Sequence, residues 1–126
     1  MLASVRDATP LLERIVGPYA DDATFAFVEA DESPSAAAFH GDSVIYVFRN
    51  SSTGHFYVGE TEDFGTRVSQ HRKVHSGALE FAYVRVQGGR GAARRMEQRA
   101  IRALLAAGVP LERDRDGNFG ASGACG

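Results

Sequence analysis

Cysteine is nearly absent. Cys125 is the only one, so the chain has no internal disulfide, which fits a reducing compartment. Long apolar runs are missing too, and none approaches membrane-spanning length. The N-terminus has no basic stretch leading into an apolar one and is too acidic for an organellar transit peptide, so no targeting segment is read in it. Excess positive charge is also lacking: Lys+Arg 14 against Asp+Glu 16 gives −2, unlike a coat protein that binds nucleic acid everywhere. His40, His55 and His75 share no metal-ligand spacing with a cysteine, which argues against a zinc site. Gln87-Gly88-Gly89-Arg90-Gly91 lacks both the Lys-Ser/Thr of a P-loop and GxGxxG spacing, so no nucleotide site is expected there. No internal repeat is found.

What remains is enough for one core: 126 residues with 44% hydrophobic content make a single compact domain. The charge is unevenly spread. Residues 1–40 hold Asp7, Glu13, Asp21, Asp22, Glu29, Asp31 and Glu32 against Arg6 and Arg14, a net −5; with −2 overall, the rest carries +3. That asymmetry suits a polyanion-binding body behind an acidic lead segment.

Thr9, as cap, and Pro10, at the first helical position, predict a short helix through Val16 that Gly17-Pro18 stops. Thr24–Val28 reads as a strand or an extended packing segment, and 29–38 as a connector. Ser43–Arg49 is a continuous β-branched and aromatic run, and His55–Gly59 returns after the turn Asn50–Gly54, which predicts a hairpin. Thr61 is expected to cap a helix to about Arg72, with Glu62 and Asp63 in its first turn. After a break at Gly77, Leu79–Gln87 reads as a third strand with Phe81, Tyr83 and Arg85 on one face. A helix from about Ala92 to Ala107 follows, with an apolar stripe of Met96, Ile101, Leu104 and Leu105, and Gly108 and Pro110 end it. The expected fold is α+β: a small three-stranded antiparallel sheet flanked by helices, with an N-terminal helical or extended extension. The expected division is 1–40 extension or connector, 41–120 core domain, and 121–126 flexible tail.

The polar residues of this core form a set. Tyr46 and Tyr57 fall on the hairpin, each most often an ordinary strand tyrosine with its ring inside and its hydroxyl at the rim. Gly59 lets a backbone approach closely beside them. Arg67 and His71, at i and i+4, share a helix face: the guanidinium is shaped to grip a phosphate, and the imidazole to bond a phenol or orient water. A phenol acting as a base needs a nearby cation or histidine to lower its pKa from about 10. Glu97 sits on or beside the buried stripe of the last helix, where a carboxylate is costly without a partner; a magnesium ion, sharing one carboxylate with substrate phosphate, satisfies it. Together these groups suit a phosphate and one divalent cation, and so point to phosphodiester cleavage.

These residues resemble the GIY-YIG endonuclease family. Val44-Ile45-Tyr46 stands for the first motif and Tyr57-Val58-Gly59 for the second, with Val44 in place of glycine and Val58 in place of isoleucine, changes a strand tolerates. Thr61 to Arg67 with His71-Arg72 is similar to the helix after the second motif, Glu97 to the metal-binding acid, and Asn118 in Asp116–Gly120 to a late asparagine. A closer likeness, over Tyr57–Asp63, Val84–Gly88 and Asp116–Ser122, is to the module at the C-terminus of the plant organellar MutS homologue.

The resemblance implies a Mg2+- or Mn2+-dependent endonuclease with Tyr46, Tyr57, Arg67, His71, Glu97 and Asn118 as catalytic residues and Glu97 as metal ligand. Its substrate would be duplex, branched or mismatched DNA, within DNA repair or recombination surveillance, with attached MutS-like domains as partners and no membrane. The setting would be mitochondrion or plastid, and otherwise intracellular. A non-cleaving binding module for branched or mismatched DNA and a nuclease toxin domain are the alternatives.

Overall fold

The computed structural model describes residues 4–16, 25–30, 32, 43–75 and 79–112. Helix α1 spans Val5–Val16, strand β1 Ala26–Val28, β2 Val44–Arg49, β3 Phe56–Thr61, helix α2 Phe64–Val74, strand β4 Phe81–Arg85 and helix α3 Gly89–Ala106. The strands form one antiparallel sheet in the order β1-β4-β2-β3. The α+β class and the antiparallel sheet are as expected. The strand count is not: β1 adds a fourth strand by pairing Ala26–Val28 with Tyr83–Phe81. Its short length and weak alternation give little local signal, and its place is decided by the edge that β4 offers.

The β2–β3 register pairs Tyr46 with Gly59 and Phe48 with Tyr57, while β4 sets Tyr83 against Tyr46. Because side chains alternate along a strand, Tyr46, Phe48, Tyr57, Phe81 and Tyr83 share one face of the sheet. There they pack with Phe64 and Val68 of α2. Ile45, Val47, Val58, Ala82 and Val84 point the other way, into the cluster with α1 and α3. The central strands are therefore covered on both sides, as the unbroken apolar run of β2 implies. Glu60 ends an inward-pointing series with Phe56 and Val58, and its side chain is buried.

Element ends differ from expectation for local chemical reasons. Helix α1 begins at Val5, with Asp7 accepting the backbone N–H of Ser4 at 3.1 Å, so Thr9 is not its cap and Pro10 lies inside it. The Thr9 hydroxyl donates to the Arg6 carbonyl at 3.0 Å, the acceptor that a residue other than proline at position 10 would reach with its N–H. Asp63 caps α2, its carboxylate accepting from Thr66 N–H; Thr61, still in β3, accepts from Asp63 N–H instead. Helix α3 starts at Gly89, earlier than Ala92, because Gly88 takes the left-handed conformation (φ 92°) that turns the chain into it.

Helix α1 and strand β1, both ahead of residue 40, pack into the same body as the rest. Arg72 fastens the corner after β1 to α2 by donating to the carbonyls of Glu29, Glu32 and Leu79. Gly17-Pro18, residues 33–40, Gly77, Asn118 and the tail with Cys125 lie outside the described residues.

Candidate active site

The β2–β3 hairpin and α2 bring three of the expected residues into contact. Tyr46 Oη and His71 Nε2 are 2.9 Å apart. The Tyr57 ring lies 6.2 Å from that of Tyr46 and 4.8 Å from that of His71, centroid to centroid. Register explains this: Tyr46 and Tyr57 sit diagonally on one face, and His71 comes down on them because Phe64 and Val68 anchor α2 there. Phe64 and Phe81 close around the Tyr46 ring. Gly59, directly across from Tyr46, leaves the space over which that ring lies.

Arg67 lies one helical turn before His71 and donates to Gln70 at 3.2 Å. It lines an open cleft of about 420 Å3, together with Glu60, Thr61, Glu62, Asp63, Thr66, Gln70 and Arg90. Glu97 projects from α3 on the other side of the sheet, at 0% exposure, with Gln98 Nε2 donating to its Oε1 at 3.3 Å. The layers meet electrically at one atom: the charges of Arg67 and Glu97 both act on the Tyr46 hydroxyl.

Burial decides the protonation states of the pair. Burial is the main influence on Tyr46 and raises its pKa well above the usual 10; Tyr57 and Glu97 add to the rise, and Arg67 opposes it. His71 supplies no positive charge to help, because burial, then His75 and Arg67, lower its pKa from 6.5 to about 4. At neutral pH the pair is therefore a protonated phenol against a neutral imidazole, which can accept the phenol's proton.

Among the described residues no group of three or more His, Cys, Asp and Glu is arranged to hold a metal ion. One carboxylate with hard oxygen donors still matches how Mg2+ binds, through one or two protein carboxylates, water and substrate phosphate. Glu60 and Arg90 belong to the cleft and were not singled out by residue type. The available signal for Glu60 was its alternation with Phe56 and Val58, which sends an acid inward.

No curated protein and no solved structure matches this chain. The model of the GIY-YIG catalytic domain family, in contrast, matches residues 42–105, which run from just before β2 to the last turn of α3 and take in both tyrosines, Arg67, His71 and Glu97. This chain belongs to the GIY-YIG catalytic domain family, and is thus an endonuclease domain, a phosphodiester hydrolase acting on DNA.

Proposed function

We propose that Tyr46, Tyr57, Arg67, His71 and Glu97 carry out the cleavage, with Asn118 as a further member from the late loop. The observation behind this is the Tyr46–His71 hydrogen bond at 2.9 Å, set where the charges of Arg67 and Glu97 both act on the phenol. In the reading we favour, His71 Nε2 accepts the Tyr46 proton while Tyr46 Oη takes one from the attacking water. The phenol then never has to exist as a free phenolate in its buried site. Arg67, at the cleft, offsets charge growing on the phosphoryl oxygens through its fork of donors. Tyr57 fixes the His71 ring and borders the water's path.

Glu97 would hold Mg2+ or Mn2+, which when bound supplies Lewis acidity toward the phosphate and the leaving oxygen. Tyr46 and Glu97 are both fully buried, so substrate engagement must shift the side chains that cover them. The test is cleavage of duplex, branched and mismatched DNA by the purified domain, with and without Mg2+, alongside Tyr46→Phe and Glu97→Gln. Metal-dependent cutting lost in both variants supports the assignment; unchanged cutting in either removes that residue from it.

The same burial favours a second reading, a domain that binds branched or mismatched DNA without cutting it. Tight binding with no turnover at any metal concentration would select it. The likeness of Tyr57–Asp63 and Val84–Gly88 to the organellar MutS module supports a role in mitochondrial or plastid DNA repair. Loss of organellar genome integrity on deletion of the coding sequence would bear that out.

A further inference from the structure

Glu60 is a buried acid with no part in the proposed chemistry. Its side chain is 1% exposed, and Oε1 lies 3.5 Å from Arg90 Nε and 3.6 Å from Arg94 Nε. Oε2 is buried and has no hydrogen-bond partner. A carboxylate so far from water is costly and is tolerated only beside opposite charge. The contact to Arg90 uses the inner nitrogen of the guanidinium. Its outer amino groups belong to a side chain 48% exposed, lining the same cleft as Arg67. Gly88 and Gly89 start α3 without a side-chain cap, so no acid stands in the first turn to compete for Arg90.

Resting on the reading of this cleft as the DNA-cleavage site, we infer that Arg90 is a second phosphate contact, binding a backbone phosphate next to the one gripped by Arg67. Glu60 is its positioning residue. The carboxylate holds the inner edge of the guanidinium and turns the outer edge to the cleft, where the planar fork matches a phosphate. Two cations across one cleft read successive phosphates of a strand, a spacing that a single arginine cannot fix.

The experiment is binding of a synthetic duplex DNA to the whole chain in EDTA, with affinity measured across a salt series. Each lost phosphate contact lowers the slope of log affinity against log salt by about 0.9. Arg90→Ala is expected to flatten the slope by about that amount, while Arg102→Ala, on the exposed outer face of α3, leaves it unchanged. Glu60→Gln is expected to weaken binding several-fold although it removes a negative charge, because only lost placement of Arg90 acts in that direction. Arg90 is half-exposed, so its variant carries the test even if Glu60→Gln unfolds. An unchanged slope in Arg90→Ala, an equal fall in Arg102→Ala, or tighter binding by folded Glu60→Gln overturns the inference. A wild-type chain that binds but never cuts would sink the catalytic reading alone, and one that binds no DNA would sink both.

Discussion

Tyr46 occupies the room that Gly59 leaves. A Cβ built on Gly59 would stand 2.4 Å from the Tyr46 hydroxyl oxygen, 2.5 Å from Cζ and 2.8 Å from Cε1, distances no packed carbon sustains. The glycine of the second motif is thus explained by the tyrosine of the first. Backbone strain plays no part, since Gly59 is not among the glycines with positive φ.

Gly59→Ala should therefore act on the site rather than on the strand. Tyr46 is fully buried against Phe64, Phe81, Tyr57 and His71 and has little room to retreat. Overpacking of this kind costs about 1–3 kcal/mol, and urea unfolding should show a loss in that range. Cleavage should fall further than stability does. Wild-type cleavage in the alanine variant would mean that Tyr46 does not need this position.

Tyr46→Phe keeps the ring and deletes the bond to His71. Stability should fall by about 1 kcal/mol, the net worth of one hydrogen bond. Single-turnover cleavage should drop by about 10²-fold or more if the phenol relays the proton. DNA affinity should not change. A loss confined to affinity would move Tyr46 from chemistry to binding.

His71 gives a pH signature with a definite sign. Its folded pKa, about 4, lies below the ordinary 6.5, so between these values the unfolded chain holds the extra proton. This contribution to stability is complete above pH 6.5, shrinks as pH falls toward 4, and changes little below. Its size is at most about 3 kcal/mol. The stability difference between wild type and His71→Asn, followed by thermal melts from pH 7 to pH 4, should narrow or reverse accordingly. A difference that stays constant across that window would contradict the buried neutral imidazole.

Arg67→Lys keeps the charge and loses the fork. Cleavage should fall by about 10²–10³-fold, while the melting temperature stays close to wild type because Arg67 is only partly buried. Full activity in the lysine variant would mean that charge alone suffices at this position.

The hairpin, the α2 face carrying Arg67 and His71, and the inward Glu97 were legible because each rests on local pattern: the unbroken apolar run of β2 and its return after the turn Asn50–Gly54, and i to i+4 spacing in the helices. Strand β1 was legible only as a strand or an extended segment, and its place in the sheet was not, since that is decided by the edge β4 offers. The cap of α2 shifted from Thr61 to Asp63 because β3 pairing keeps Thr61 in the sheet. The protonation of Tyr46 was not readable from residue types for a similar reason. Residue types show which groups are near, but the balance between burial and Arg67 depends on how Phe64 and Phe81 close over the ring. Glu60, an acid at a strand end, reads as solvated until α3 is laid over it.

Glu97 offers the most direct measurement. Glu97→Gln preserves the shape of a fully buried side chain and removes the charge to which a divalent cation would bind. Duplex cleavage should be assayed across a Mg2+ and Mn2+ titration, with DNA affinity measured in parallel. The account predicts that the variant binds DNA as wild type does and cuts nothing at any metal concentration. Metal-dependent cutting that persists in Glu97→Gln would contradict it.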